Sequence, residues 1–190
     1  MVHIAHEEGF PVMAHANGAR TVQATAQAGV DSVEHGAYLD REALHAMQEA
    51  GTVWVPTLST IGNLRGRGRF DETAVEQILA AAQENLRRFA ALGGLLAPGT
   101  DAGAWAVPHA SLTEYALFHQ VFGEQAQGIL ERGIAAIQEK FSWSDQDASC
   151  GGAILSRRRL PASRGGRNRP EPSHTFPRTD HSDASVFHGW

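Results

Sequence analysis

Val12-Met13-Ala14-His15-Ala16-Asn17-Gly18 carries a pattern that returns twice further along the chain. A short apolar run ends on a histidine and gives way at once to small residues. The pattern recurs as Ser32-Val33-Glu34-His35-Gly36, and again as Leu95-Leu96-Ala97-Pro98-Gly99-Thr100-Asp101-Ala102-Gly103. Each run reads as a buried strand that stops at a side chain able to hold a metal. Helical sequence lies between the stops, so the strands should run parallel with their carboxyl ends on one rim. Two neutral imidazoles and one carboxylate gathered there suit a hard or borderline divalent cation.

Residues 1–9 read as the end of a helix stopped by Gly9, and the first strand covers about 11–15. Asn17-Gly18 turns the chain into an Ala-rich helix, 19–28, closed by Gly29. The second strand, 30–34, places His35-Gly36 at its tip. Asp40 caps a helix over 42–50 that Gly51 closes, and the third strand is Thr52-Val53-Trp54-Val55-Pro56-Thr57. A long loop, 58–70, holds Arg65-Gly66-Arg67-Gly68-Arg69. Asp71 then caps the longest helix, in which Val75, Ile78, Leu79, Leu86 and Phe89 keep a helical period. A fourth strand runs to Thr100, and two more helices follow over about 111–122 and 125–141. About four parallel strand-helix units result. They fit an open doubly wound sheet or part of a (β/α)8 TIM barrel, and a complete barrel needs about 250 residues.

The chain has 190 residues, 42% of them hydrophobic, enough for one domain with a sizeable core. Its net charge of −5 gives no reason to expect nucleic acid or an anionic membrane as partner. The single cysteine, Cys150, rules out an intrachain disulfide and a cysteine-built zinc site within one chain. No apolar run approaches the roughly 20 residues that span a bilayer, and the acidic first residues do not resemble a secretion signal, so a cytoplasmic setting is expected. Charge divides the chain. Residues 1–141 hold 9 Lys/Arg against 16 Asp/Glu, whereas 142–190 hold 7 against 5. The first segment is expected to be the folded domain. The second, rich in Gly, Pro and Ser and without an amphipathic period, is expected to be a disordered tail or a product of a shifted reading frame.

The series His15-Ala16-Asn17-Gly18, Gly29-Val30-Asp31-Ser32-Val33-Glu34-His35-Gly36 and Gly99-Thr100-Asp101-Ala102-Gly103 resembles the amidohydrolase superfamily, and within it the imidazolonepropionase-like and prolidase-like metal-dependent hydrolases. The likeness covers residues 1–141 and corresponds to the second half of that family's barrel. It implies that His15 and His35, closing strands five and six, bind one metal. It also implies that Asp101, closing strand eight, touches the other metal and carries the proton. The metal implied is zinc, in a binuclear centre. The activity implied is hydrolysis of an amide, cyclic amide or dipeptide C–N bond in a small-molecule substrate.

The family also uses a His-x-His pair on its first strand and a lysine or glutamate that bridges the metals from its fourth, and this chain starts after both. His3 and His6, three apart on a helix, cannot replace two like-facing strand residues, and Lys140 lies in the last helix. The expectation is therefore a truncated hydrolase, inactive alone, or a non-catalytic half-barrel that pairs with a copy of itself or with a separate N-terminal half. Single residues keep plainer readings as well. A strand-end histidine also serves as a hydrogen-bonded structural group, and Asp101 as a helix cap. His109 either contacts substrate or opens the next helix. Glu34, on the face opposite Val33, is expected to be a structural partner rather than a base. Trp54 and Trp105 line a pocket or pack against helices, and the Arg65–Arg69 loop clamps a carboxylate or is simply solvated.

Overall fold

Three short strands, β1 (Met13–Ala16), β2 (Ser32–His35) and β3 (Val53–Val55), lie side by side in that order and run parallel in the computed structural model, which describes residues 1–103 and 106–142. Met13 faces Ser32, His15 faces Glu34 and Ala16 faces His35, while Val33 faces Trp54 and Glu34 faces Val55. The expected strand ends thus fall level on one rim. The readings for Trp105 and for the tail from residue 143 onward lie outside the described residues.

The fourth expected strand is reduced to a single parallel bridge between Trp54 and Leu96. Trp54 N–H donates to Leu95 O at 2.9 Å, and Ala97 N–H donates to Trp54 O at 3.0 Å. The next rung would need an N–H from Pro56, which has none, so the ladder stops there. Elsewhere local chemistry sets the boundaries as expected. The Asp40 side chain accepts from Ala43 N–H at 2.9 Å at the start of α3 (Arg41–Glu49), and Asp71 accepts from Ala74 N–H at 2.7 Å at the start of α5 (Glu72–Ala91). Two helices flank the expected positions closely: α1 (Val2–Glu7) precedes β1, and α2 (Ala19–Gln27) follows it. The segment expected to be loop contains one helical turn, α4 (Ser59–Gly62). α6 (Thr113–Phe122) and α7 (Ala126–Phe141) are joined by a 3₁₀ turn.

Alternation along the strands sends neighbours to opposite faces, and each face has its own core. On one side Ala16, Val33, Trp54 and Leu96 pack with Val22, Leu44, Met47, Leu86, Phe89 and Phe118 from the surrounding helices. On the other, Val53, Val55 and Ala97 meet Ala136 and Ile137 of α7. Helix α7 serves both clusters, because its earlier residues Ala126, Ile129 and Leu130 belong to the first. Gly133 lies between the two sets, and a Cβ there would collide with the Leu96 carbonyl, so α7 runs along the edge of the sheet at backbone contact.

At the amino ends of the strands, Asp31 gathers three donors. Val12 N–H and His6 Nε2 each lie 2.8 Å from its Oδ2, and Lys140 Nζ lies 3.6 Å from its Oδ1. Burial would raise this carboxyl's pKa, but those partners together hold it below its ordinary value. Among the described residues no helix is long and apolar enough to cross a membrane.

Candidate functional site

His15 is the last residue of β1 on the face it shares with Met13, and it is exposed. His35 stands one residue beyond Glu34, and simple alternation would send its ring to the helix-packed face that Val33 occupies. Instead its backbone turns left-handed, φ +72°, and its ring meets His15 with centroids 4.3 Å apart and planes at 66°. Two contacts hold that turn. Trp54 Nε1 donates to the His35 carbonyl at 2.8 Å, and His35 Nδ1 lies 2.7 Å from Thr57 Oγ1. Gly36 follows because a Cβ there would sit 2.7 Å from Trp54 Nε1. Trp54, fully buried and edge-on to Phe89 with centroids 5.6 Å apart, therefore both packs and positions the site.

The strand-end loops are tied together as well. Asn17 Oδ1 accepts from Ala37 N–H at 2.9 Å, and Gly18 N–H donates to Ala37 O at 2.8 Å. Burial, and then the neighbouring His15, push the His35 pKa down, while Asp101 pulls the other way. The ring is therefore a neutral imidazole at neutral pH. In the tautomer that donates Nδ1–H to Thr57, its Nε2 lone pair is available to a ligand.

Asp101 follows the bridged segment as an exposed residue with φ +51°. Gly99 lets that segment approach β3, where a Cβ would strike the Val55 side chain. His15, Asn17, His35, Thr57 and Asp101 all line one cavity of about 520 Å³, whose other walls are largely apolar and include Trp54, Ile61, Leu64, Phe70 and Ile78. The three expected ligands thus share one cavity, and the carboxylate's charge acts on His35. As they lie, however, no three His, Cys, Asp or Glu side chains among the described residues are close enough to hold a metal ion together. The donor chemistry fits a divalent cation at the ring pair, with the carboxylate at the same mouth.

His109 is exposed, its ring about 3.7 Å from where a Cβ on Gly103 would lie, and it is not among the described residues lining the cavity. No helix starts at Asp101, since α6 begins at Thr113. Glu34 accepts a hydrogen bond from Ser32 Oγ at 2.7 Å, and burial raises its pKa. In the basic loop, Arg65 Nε lies 2.6 Å from Glu76 Oε1, Arg67 Nε donates to Asn63 O at 3.2 Å, and Arg69 stands 5.7 Å from the Phe70 ring centre. Sequence reasoning missed Thr57, whose only signal is its place at a strand end, and Phe70, which follows the arginines into the cavity wall.

These observations define a mixed α/β fold with a small parallel sheet and a histidine pair on its carboxyl rim. No protein-family model matches the chain. An uncharacterized protein of Mycobacterium tuberculosis is 31% identical over 106 residues, 53% of this chain and 29% of that protein. Among solved structures, a Xaa-Pro dipeptidase with bound methionine in its active site matches with a TM-score of 0.60 and 26% identity, over 73% of this chain and 36% of that one. An A. niger ochratoxinase matches with a TM-score of 0.61 and 22% identity, over 73% and 32%. An amidohydrolase matches with a TM-score of 0.50 and 24% identity, over 63% and 30%. The chain has a partial amidohydrolase-like fold and spans about a third of the length of the proteins it matches.

Proposed function

We propose that residues 1–141 form the second half of a (β/α)8 amidohydrolase barrel, and that the rim of β1 and β2 is half of a metal-dependent hydrolytic site for amide or dipeptide C–N bonds. The observation that carries this reading is the His15–His35 ring pair at two parallel strand ends, with Asp101 on the same cavity. His15 and His35 would hold a divalent cation, zinc by likeness, through neutral imidazole nitrogens. Bound there, the cation supplies Lewis acidity toward a carbonyl oxygen and lowers the pKa of water from 15.7 to about 7. Asp101, exposed at the cavity mouth, takes the proton of the attacking water and returns it to the leaving nitrogen. Thr57 keeps the His35 ring oriented, and the Trp54 indole keeps its backbone turned. The apolar walls at Ile61, Leu64, Phe70 and Ile78 favour a substrate with an apolar group beside the scissile bond.

Two imidazoles and one carboxylate are too few donors for a two-metal centre. Turnover in this reading requires a His-x-His pair and a bridging lysine supplied by the other half of the barrel. The plainer reading is a non-catalytic half-barrel. Zinc titration of the purified full chain by calorimetry separates the steps. The wild type should bind zinc, and His15→Ala and His35→Ala should each weaken binding by about tenfold or more. Unchanged binding in both variants would remove the site assignment. Hydrolysis of an Xaa-Pro dipeptide only after a complementary half is added would establish the split enzyme.

A further inference from the structure

One carboxylic acid in this fold is sealed away without an assigned role. Glu114, in the first turn of α6, is 0% exposed. Its Oε2 accepts from Ser59 N–H at 2.7 Å, and its Oε1 is buried with no hydrogen-bond partner. An unpartnered buried carboxyl oxygen is costly, and an apolar side chain would fill the space without that cost, so packing alone does not account for it. Its grip falls on the α4 turn, which reaches the rim in two directions. Ser59 Oγ donates to the Thr100 carbonyl at 2.9 Å, directly before Asp101. Thr60 N–H and Oγ1 both donate to the carbonyl of Thr57, whose hydroxyl meets His35. Thr57 and Asp101 are both left-handed, with φ of +49° and +51°, conformations that need outside support.

We propose that Glu114 is a positioning residue that sets Asp101 and Thr57, and through Thr57 the His35 ring, by anchoring the α4 turn between them. This rests on reading His15, His35 and Asp101 as the site. The groups acting on the Glu114 carboxyl are burial first, which raises its pKa to about 7, and then the uncharged Ser59 and Leu58 backbone amides and Ser59 side chain, which lower it. Burial lowers the His35 pKa from its ordinary value, and Glu114→Gln distinguishes its transition from that of the carboxyl.

Amide NMR of the full chain from pH 5 to 9 tests the linkage. The amides of Thr57, Ser59 and Asp101 should shift with one shared midpoint near 7, and Glu114→Gln should abolish that midpoint at all three. Ser59→Ala keeps the backbone N–H but removes the hydroxyl. In that variant the amide at position 59 should still titrate while Asp101 falls silent. Persistence of the midpoint at Asp101 in either variant, or its absence from Asp101 in the wild type, would overturn the proposal. Failure of the wild type to bind zinc with these shifts intact would sink the metal reading and leave the linkage standing.

Discussion

At the scale of single residues, the rim is made by side chains that act on one another. The ligand role proposed for His35 depends on its turned ring, which Trp54 fixes at the carbonyl and Thr57 meets at Nδ1. Thr57→Val removes the hydroxyl with little change in volume. It should weaken zinc binding by about 10-fold to 100-fold while shifting the unfolding midpoint only slightly, measured by calorimetry and urea titration on one sample. Glu114 gives a second residue-scale expectation. A carboxyl whose folded pKa is raised from 4.5 to about 7 binds protons better in the native state, so its contribution to stability is full below pH 4.5 and declines between pH 4.5 and 7. That decline is on the order of 3 kcal/mol at most, and Glu114→Gln should remove it. His35 works in the opposite direction. Its folded pKa is lowered, so the unfolded chain binds its proton better and stability falls as pH drops below about 6.5.

At the scale of elements, the caps and stops were legible because each is local chemistry. Asp40 and Asp71 cap helices whose start they announce, and Gly29 and Gly51 take the left-handed stops at φ +86° and +65°. Asp40→Ala and Asp71→Ala should each cost about 1 kcal/mol in urea unfolding. The misses came from partners far along the chain. The apolar run up to Thr100 reads as a strand, but Pro56 on its neighbour lacks the N–H for a second rung. Helix α4 is too short to show a period, and its first amide is held by a carboxylate 55 residues away. The meeting of His15 and His35 was legible from the repeated strand-histidine pattern, whereas the left-handed turn that makes it possible was not. Gly133 gives a test of packing against propensity. Alanine normally favours a helix interior by about 1 kcal/mol over glycine. Here its methyl would meet the Leu96 carbonyl, so Gly133→Ala should instead destabilise by about 1–3 kcal/mol.

At the scale of the whole described molecule, both cores depend on one helix. α7 contributes Ile129 and Leu130 to one and Ile137 to the other, and its Lys140 meets Asp31, which His6 of α1 also holds. The first and last helices are thus pinned at one carboxylate, 16% exposed, beneath the sheet. Asp31→Ala should cost about 2 kcal/mol and raise hydrogen exchange in α1 and in the last turn of α7 together, leaving β2 protected. Because the Asp31 pKa is lowered, its contribution is present above about pH 3.8 and fades as pH falls through the native value below that.

Three residues at the ends of adjoining chain segments, His35, Thr57 and Asp101, hold a backbone shape that glycine adopts more cheaply. A laboratory search for heat-tolerant variants would therefore be drawn to these positions, as to Tyr38 and Ala110, which share that shape. Every winner at the first three would relax the loop and delete a side chain that faces the cavity. If the proposed chemistry is right, selection for endurance and selection for turnover pull this rim apart, and a library scored on both would show the conflict at His35, Thr57 and Asp101 and not at Ala110.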